Sequence, residues 1–255
     1  DSNCTITIGP NTISRVHFIE NATTDSGSSG PYSIIISQGS GANVTITNGD
    51  VAVVYLDGAG SGAAVVKANL GGANPTLGTS NLALGVNAGD SLTSGGNYNV
   101  LLGDEAGTAL TTGDENVAIG FEALATEDTG SQSVAIGYEA LTTANRDGNN
   151  ANVAVGYQAG TAVTTGSGLT FVGFKAGVAT TNTTGVTFVG NLAGEDNTTG
   201  NNNTAVGSQA LAANTVGDRN VAIGDVALFN LNPATNADMH NVAVGHASGF
   251  AMTTG

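Results

Sequence analysis

From residue 81 onward, apolar and polar positions alternate in one short phrase that returns along the rest of the chain. Asn116-Val117-Ala118-Ile119-Gly120 recurs as Ser133-Val134-Ala135-Ile136-Gly137, Asn152-Val153-Ala154-Val155-Gly156, Asn220-Val221-Ala222-Ile223-Gly224 and Asn241-Val242-Ala243-Val244-Gly245. Looser copies end at Gly85, Gly103, Gly173, Gly190 and Gly207. Alternating side chains closed by a glycine predict a strand of three residues and then a turn. The ten glycines stand 18, 17, 17, 19, 17, 17, 17, 17 and 21 residues apart. A period this constant predicts one strand per coil, so residues 81–255 are expected to form a β-solenoid of ten repeats of about 17 residues.

Each column of the repeat has an expected task. Residues one and three before the glycine, such as Ile119 and Val117, share a face and are expected to point into the coil. The residue between them is then expected to point outward; it is usually Ala (Ala118, Ala135, Ala222), and Leu101, Phe171 and Phe188 replace it. Phe171 and Phe188 occupy equivalent places 17 residues apart, beside Thr170 and Thr187, and are expected to stack with centroids about 4.5 to 7 Å apart. Three residues after the glycine stands Ala in nine copies and Ser248 in the tenth, as a tight corner demands, and the next position alternates between Gly and Leu. A second glycine follows the first by ten residues at Gly95, Gly113, Gly130, Gly166, Gly200, Gly217 and Gly255, expected as a turn with positive φ. The Asn that opens most copies is expected to stack on its equivalents and bond from coil to coil.

The first 66 residues lack the period. Thr5-Ile6-Thr7-Ile8, Val16-His17-Phe18-Ile19, Ser33-Ile34-Ile35-Ile36, Val44-Thr45-Ile46-Thr47 and Val51-Ala52-Val53-Val54-Tyr55 alternate between turn-forming residues. They predict a small antiparallel β-sandwich or open barrel over residues 1–66. Asp57-Gly58-Ala59-Gly60-Ser61-Gly62 and Gly71-Gly72-Ala73-Asn74-Pro75 read as a hinge, and residues 67–80 as a linker to the solenoid. The fold class expected is all-β.

The Asn-x-Val-Ala-Ile-Gly-x-x-Ala pattern, over residues 78 to 255, resembles the head repeat of trimeric autotransporter adhesins (YadA-like heads) and the same repeat in tail-fibre proteins of marine phages. The resemblance implies a left-handed parallel β-roll wound as a homotrimer; the repeat here is slightly longer than is usual in adhesin heads. Val53-Val54-Tyr55-Leu56-Asp57-Gly58 is similar to small β-domains of phage fibres, particularly those of phages infecting cyanobacteria. Together the two resemblances imply a phage structural protein rather than a bacterial adhesin.

Composition narrows the chemistry. Among 255 residues there are 39 glycines, no tryptophan, and 10% charged residues, well under the usual share of about 25%. The apolar content is mostly Ala and Val, suited to a core one coil wide. A formal charge of −15 repels phosphate backbones and anionic lipid, so neither nucleic acid nor a membrane surface is expected as a partner. No apolar run is long enough for a membrane span, and membrane insertion is not expected. Cys4 is the only cysteine and reads as a small strand residue, which excludes an intrachain disulfide. The unfinished tenth repeat at Gly255, with no capping segment, leads us to expect that the chain continues.

Candidate sites weigh against enzymatic activity. Asp104-Glu105, Asp114-Glu115, Glu127-Asp128 and Glu195-Asp196 fall at corners and are expected to be solvated rather than catalytic or calcium-binding. Two-carboxylate hydrolysis needs one fixed pair in a cleft, and nothing singles a pair out. His17, His240 and His246 are the only histidines, and no Gly-x-Ser-x-Gly elbow accompanies them. Gly58-Ala59-Gly60-Ser61-Gly62 lacks the Lys-Ser/Thr of a phosphate loop. The Thr pairs Thr111-Thr112, Thr164-Thr165, Thr198-Thr199 and Thr253-Thr254 precede turns rather than occupy a flat face, against an ice-binding array. Catalytic residues, metal sites and cofactors are expected to be none, and no binding residue is assigned.

The function expected is a structural and adhesive fibre segment, a phage tail fibre for host attachment located on the virion. Its alternatives are a bacterial adhesin head at the cell surface or a carbohydrate-binding or depolymerising tailspike. Expected partners are two further copies of the chain, other virion tail or fibre proteins, and a host glycan or protein receptor. The trimer is expected to bury the outward Ala stripe.

Overall fold

The computed structural model describes residues 4–7, 15–20, 34–37, 43–46, 51–56, 65–68 and 78–254. Every regular element among them is a β-strand. The chain divides into two compact units, residues 1–74 and 75–255. The Gly-rich stretches at 57–62 and 71–75 lie outside the described residues.

In the first unit the alternating runs become β1 (Cys4–Thr7), β2 (Arg15–Glu20), β3 (Ile34–Ser37), β4 (Val44–Ile46) and β5 (Val51–Leu56), and Val65–Ala68 adds β6. They form two three-stranded sheets, β1-β3-β4 and β2-β5-β6. Pairing is antiparallel except for β1 with β3, which runs parallel and requires a crossover rather than a hairpin. Ile36 and Ile46 are fully buried.

The second unit is a β-solenoid of ten parallel coils, numbered here by their motif glycines. Its strands are β7 (Leu82–Leu84), β8 (Val100–Leu102), β9 (Val117–Ile119), β11 (Val134–Ile136), β13 (Val153–Val155), β14 (Thr170–Val172), β15 (Thr187–Val189), β16 (Thr204–Val206), β17 (Val221–Ile223) and β18 (Val242–Val244). They stack in sequence order as one ten-stranded sheet. Equivalent motif residues pair throughout, Val117 with Val134, Ala118 with Ala135 and Ile119 with Ile136. The longer coil after Gly137 adds a two-stranded ladder, β10 (Gly130–Ser131) with β12 (Gly148–Asn149).

The two faces of the sheet are the reverse of the expectation. The middle residue points inward: Ala118, Ala135, Ala154, Ala205 and Ala222 are fully buried, while the flanking Val and Ile columns face out, half-exposed. Alternation establishes that the two sets oppose each other but carries no sign, and the sign comes from the corner that follows. There the small residue three after the glycine and the Gly or Leu after it both turn inward and are buried in the inner coils. They leave little width beneath the strand, so the inner column takes small residues and the bulkier ones go outside.

The Gly/Leu alternation balances that volume. Where the inner residue is Ala118, Ala135, Ala205 or Ala222, the corner carries buried Leu124, Leu141, Leu211 or Leu228. Where the inner residue is large, the corner is glycine: a Cβ on Gly177 would lie 2.3 Å from Phe171, and one on Gly194 2.4 Å from Phe188. Gly89 and Gly160, in coils with an inner Ala, make room for Leu101 and Phe171 of the following coil. Phe171 and Phe188 stack as expected, with centroids 5.7 Å apart, but inside the core.

The motif glycine itself is fixed twice over. Gly137 has φ +136°, and a Cβ there would lie 2.3 Å from the Gly156 carbonyl oxygen of the next coil. The second glycine differs from its expected role, because Gly113, Gly130, Gly200 and Gly217 are not left-handed. It is required for close approach: a Cβ on Gly113 would lie 2.1 Å from the Gly130 carbonyl oxygen. Positive φ falls instead on side-chain-bearing positions, Glu115, Glu122 and Leu124 in the third coil at +59°, +52° and +55°. Left-handed turns recur at these places along the solenoid, and stacking offsets their local cost of about 1–2 kcal/mol each.

Ladders of side-chain bonds join the coils. The Asn116 amide N–H donates to Asn99 Oδ1 at 2.9 Å, Asn116 Oδ1 accepts the Ser133 N–H at 2.9 Å, and its Nδ2 donates to the Gly130 carbonyl at 2.8 Å. Asn99 repeats all three bonds, and Asn152 and Asn203 repeat the Oδ1 and Nδ2 ones. These buried amides satisfy backbone groups that the short strands leave over, as the Asn column led us to expect.

Candidate interaction surfaces

The outward Val and Ile columns make the sheet's external face an apolar band two residues wide. None of its ten strands contributes a charged residue, and only Thr170, Thr187 and Thr204 add hydroxyls. In a repeating structure one column becomes one stripe, so a residue chosen once is displayed ten times. An apolar band of this length on a chain with net charge −15 is the most distinctive surface of the solenoid.

Beside the band, one residue past the motif glycine, runs an aromatic column that the scattered appearance of Tyr and Phe in the sequence conceals. Phe121, Tyr138, Tyr157 and Phe174 come from consecutive coils, with centroids 5.3, 5.1 and 5.4 Å apart and ring planes within 16° of parallel. Each is 41–46% exposed. The period carries the signal, since all four follow a motif glycine directly. Acidic and amide side chains flank them: Gln158 Nε2 donates to Glu139 Oε2 at 2.6 Å, and Lys175 Nζ stands 5.5 Å from the Phe174 centroid. A hydrogen bond to Glu139, with the charge of that carboxylate, holds the Tyr138 hydroxyl above its usual pKa. Phe229 and Phe250 make a second stack at 5.4 Å in the last two coils.

The acidic pairs do not converge on a catalytic site. Asp104 accepts the Val86 N–H at 2.9 Å, Glu105 accepts Asn87 Nδ2 at 2.7 Å and Asp114 accepts the Asn97 N–H at 2.7 Å, so they act as rungs between coils. Glu127 departs from the solvated reading: it is fully buried, because its position points into the coil and not off the corner. His246 Nδ1 lies 3.2 Å from Asp225 Oδ2 on the exposed surface. Ser208, Asp225 and His246 follow the glycines of consecutive coils, which puts Asp225 between serine and histidine, the wrong order for a nucleophile and its base. His240 is exposed, and His17 lies on β2 opposite Val54.

Some of the threonine hydroxyls are committed to coil-to-coil bonds. Thr111, Thr181 and Thr198 each donate to the carbonyl of the residue 17 positions on, at 2.9 to 3.0 Å. Among the described residues no three His, Cys, Asp or Glu side chains gather to hold a metal ion, and no helix is long and apolar enough to cross a membrane. No family model, curated protein or solved structure matches this chain.

Proposed function

We propose that this chain is a non-enzymatic structural and adhesive segment of an extracellular fibre, a phage tail fibre that attaches the virion to its host. The proposal includes a homotrimer of left-handed coils, with the two N-terminal sheets packed face to face as a small sandwich. The observation that carries the reading is the uncharged Val/Ile band along the solenoid. A stripe of this kind on a soluble fibre is the expected seat of another copy, and three copies about one axis bury it on every chain. The buried Ala column cannot serve that role, so the interface belongs to the Val and Ile positions. The repeat's resemblance to adhesin heads and phage fibres supports both the trimer and the attachment role. Other tail proteins and a host surface receptor are the remaining partners, and a bacterial adhesin head at the cell surface is the alternative setting.

Sedimentation equilibrium tests the assembly. The unmodified chain should sediment at three times 24.9 kDa. Ile119→Glu with Ile136→Glu should yield folded monomer, because both side chains project outward. A folded monomer from the unmodified chain would overturn the trimer. The attachment role is tested by competition: purified trimer should block adsorption of the parent phage, and unchanged adsorption at saturating protein counts against it. The aromatic column favours a second reading, glycan binding along the solenoid. The rings spend much of their faces on one another, which leaves edges and hydroxyls for a sugar and makes this the weaker reading. Glycan-array binding lost in Tyr138→Ala with Tyr157→Ala would support it.

A further inference from the structure

Seven residues after each motif glycine the coil has an inward position, held by neutral side chains from Leu92 and Leu110 to Asn197 and Asn214. The third coil alone places an ionisable group there, Glu127, fully buried. The corner does not need a charge. Asn214 serves it by accepting the Gly217 N–H and donating to the Gly217 carbonyl, both at 3.0 Å, and Asn197 donates to the Gly200 carbonyl at 3.2 Å.

Glu127 reaches further. Its Oε1 accepts the Gly130 N–H at 2.8 Å, and its Oε2 accepts Asn150 Nδ2 at 2.8 Å and the Arg146 backbone N–H at 3.4 Å. Gly130 makes the space, since a Cβ there would lie 2.2 Å from Asn150 Nδ2 and 2.4 Å from Glu127 Cδ. Asn150 turns its Oδ1 to Arg146 Nη1 at 3.3 Å, and the same Nη1 donates to the Asn149 carbonyl at 3.1 Å. These partners belong to the bulge of the 19-residue coil, where Gly148–Asn149 pairs with Gly130–Ser131.

We propose that Glu127, Asn150 and Arg146 form a proton-operated latch on this bulge. An ionised Glu127 can only accept, so Asn150 must direct Nδ2 inward, which leaves its Oδ1 to hold the guanidinium. When Glu127 takes a proton from solvent, its new O–H needs an acceptor. Asn150 supplies one by turning its amide, and Nδ2 then faces Arg146. Two donors oppose each other there, and the guanidinium is released. The only covalent change is the O–H bond formed on protonation.

Burial places the switch above the ordinary glutamate range. Burial raises the Glu127 pKa most, bonds from the Gly130 and Arg146 N–H groups oppose it, and the neighbouring Asp128 carboxylate adds to the rise. Asp128 Oδ1 is itself buried without a hydrogen bond. From the following coil come Arg146 and Asp147, the latter accepting the Thr129 hydroxyl at 2.6 Å. The preceding coil places Leu110 at the equivalent position; Asp114 packs on the ladder through its N–H to Ser131 Oγ at 2.9 Å, with its carboxylate turned to the Asn97 N–H, and Asn116 bonds the Gly130 carbonyl.

Hydrogen exchange on the full chain tests the latch, read as the rate in a peptide spanning 141–152 relative to one in the eighth coil, 208–216, where the inward position is the neutral Asn214. In the unmodified protein this ratio should fall by at least about threefold in a one-proton step as pH rises from about 4.5 to 8. Glu127→Gln, neutral at every pH, should remain fast throughout, and Arg146→Ala should lose the step. Identical profiles in the unmodified protein and Glu127→Gln would overturn the proposal. If Glu127→Gln fails to fold, Arg146→Ala decides, and a step that survives in it overturns the latch.

Discussion

The sharpest test of the volume balance in the core is a swap in the seventh coil. Phe188 is fully buried and Gly194 sits beneath it, while the coil above pairs Ala205 with Leu211. Phe188→Ala alone removes a buried ring and its stack on Phe171, which costs about 3–5 kcal/mol. Gly194→Leu alone forces a side chain into a ring only 2.4 Å from its Cβ, a loss of about 3 kcal/mol or more. The double substitution creates the Ala/Leu pairing already present in the third coil, where Ala118 and Leu124 lie above Leu101 and Gly107. Leu124 accepts φ +55° there, close to the +60° of Gly194. The remaining penalty is the left-handed turn, about 1–2 kcal/mol. The double variant should therefore lie within about 2 kcal/mol of the unmodified protein, a coupling of about 3 kcal/mol or more. Urea midpoints by far-UV circular dichroism, at equal protomer concentration, measure it. A double variant as unstable as the summed singles would refute the balance.

Four further outcomes are expected. Val226 is a β-branched residue at φ +52°, so Val226→Asn should stabilise by about 1 kcal/mol, seen as a raised Tm. Asn116→Ala strands the Ser133 N–H and the Gly130 carbonyl and should cost about 2–4 kcal/mol in the same urea assay. Gly137→Ala places a methyl against the next coil's carbonyl and should prevent native circular dichroism. The raised pKa of Glu127 contributes stability that is full below the ordinary carboxylate range and lost as pH rises through the folded value, so Glu127→Gln should gain stability relative to the unmodified chain between about pH 5 and 8.

Much of this architecture is legible in the sequence because a repeat averages out local noise. Ten in-phase glycines locate every strand of the ten-stranded sheet, and the Asn column and the Phe171–Phe188 pair follow from stacking alone. The direction of the faces is not legible from the motif, since alternation is symmetric; the clue lay outside it, in the reciprocal sizes of the inner residue and the corner residue. The second glycine suggests a dihedral role because it sits in a turn, whereas Gly113 answers to a carbonyl in the next coil. Glu127 looked solvated by charge, yet its place seven residues past the glycine, shared with Leu110 and Leu231, marks it as interior. The aromatic column is hidden in the linear sequence, because Phe121, Tyr138, Tyr157 and Phe174 align only when the chain is written in lines of one period.

The coil-to-coil register has a consequence for how such a shaft can change length. Bonds between coils recur between the same two positions, as when the Gly137 N–H meets the Ile119 carbonyl at 2.7 Å and the Gly156 N–H meets that of Ile136 at 2.8 Å. Excision of residues 174–190 would therefore remove one complete storey and join Gly173 to Asn191, the residue equivalent to Phe174, with every rung matched, whereas loss of a single residue within a strand would turn its side chains to the wrong face. Such a shaft lengthens or shortens in steps of about 4.8 Å. Its length is a whole number, and recombination between repeats is the natural way for a gene to count it.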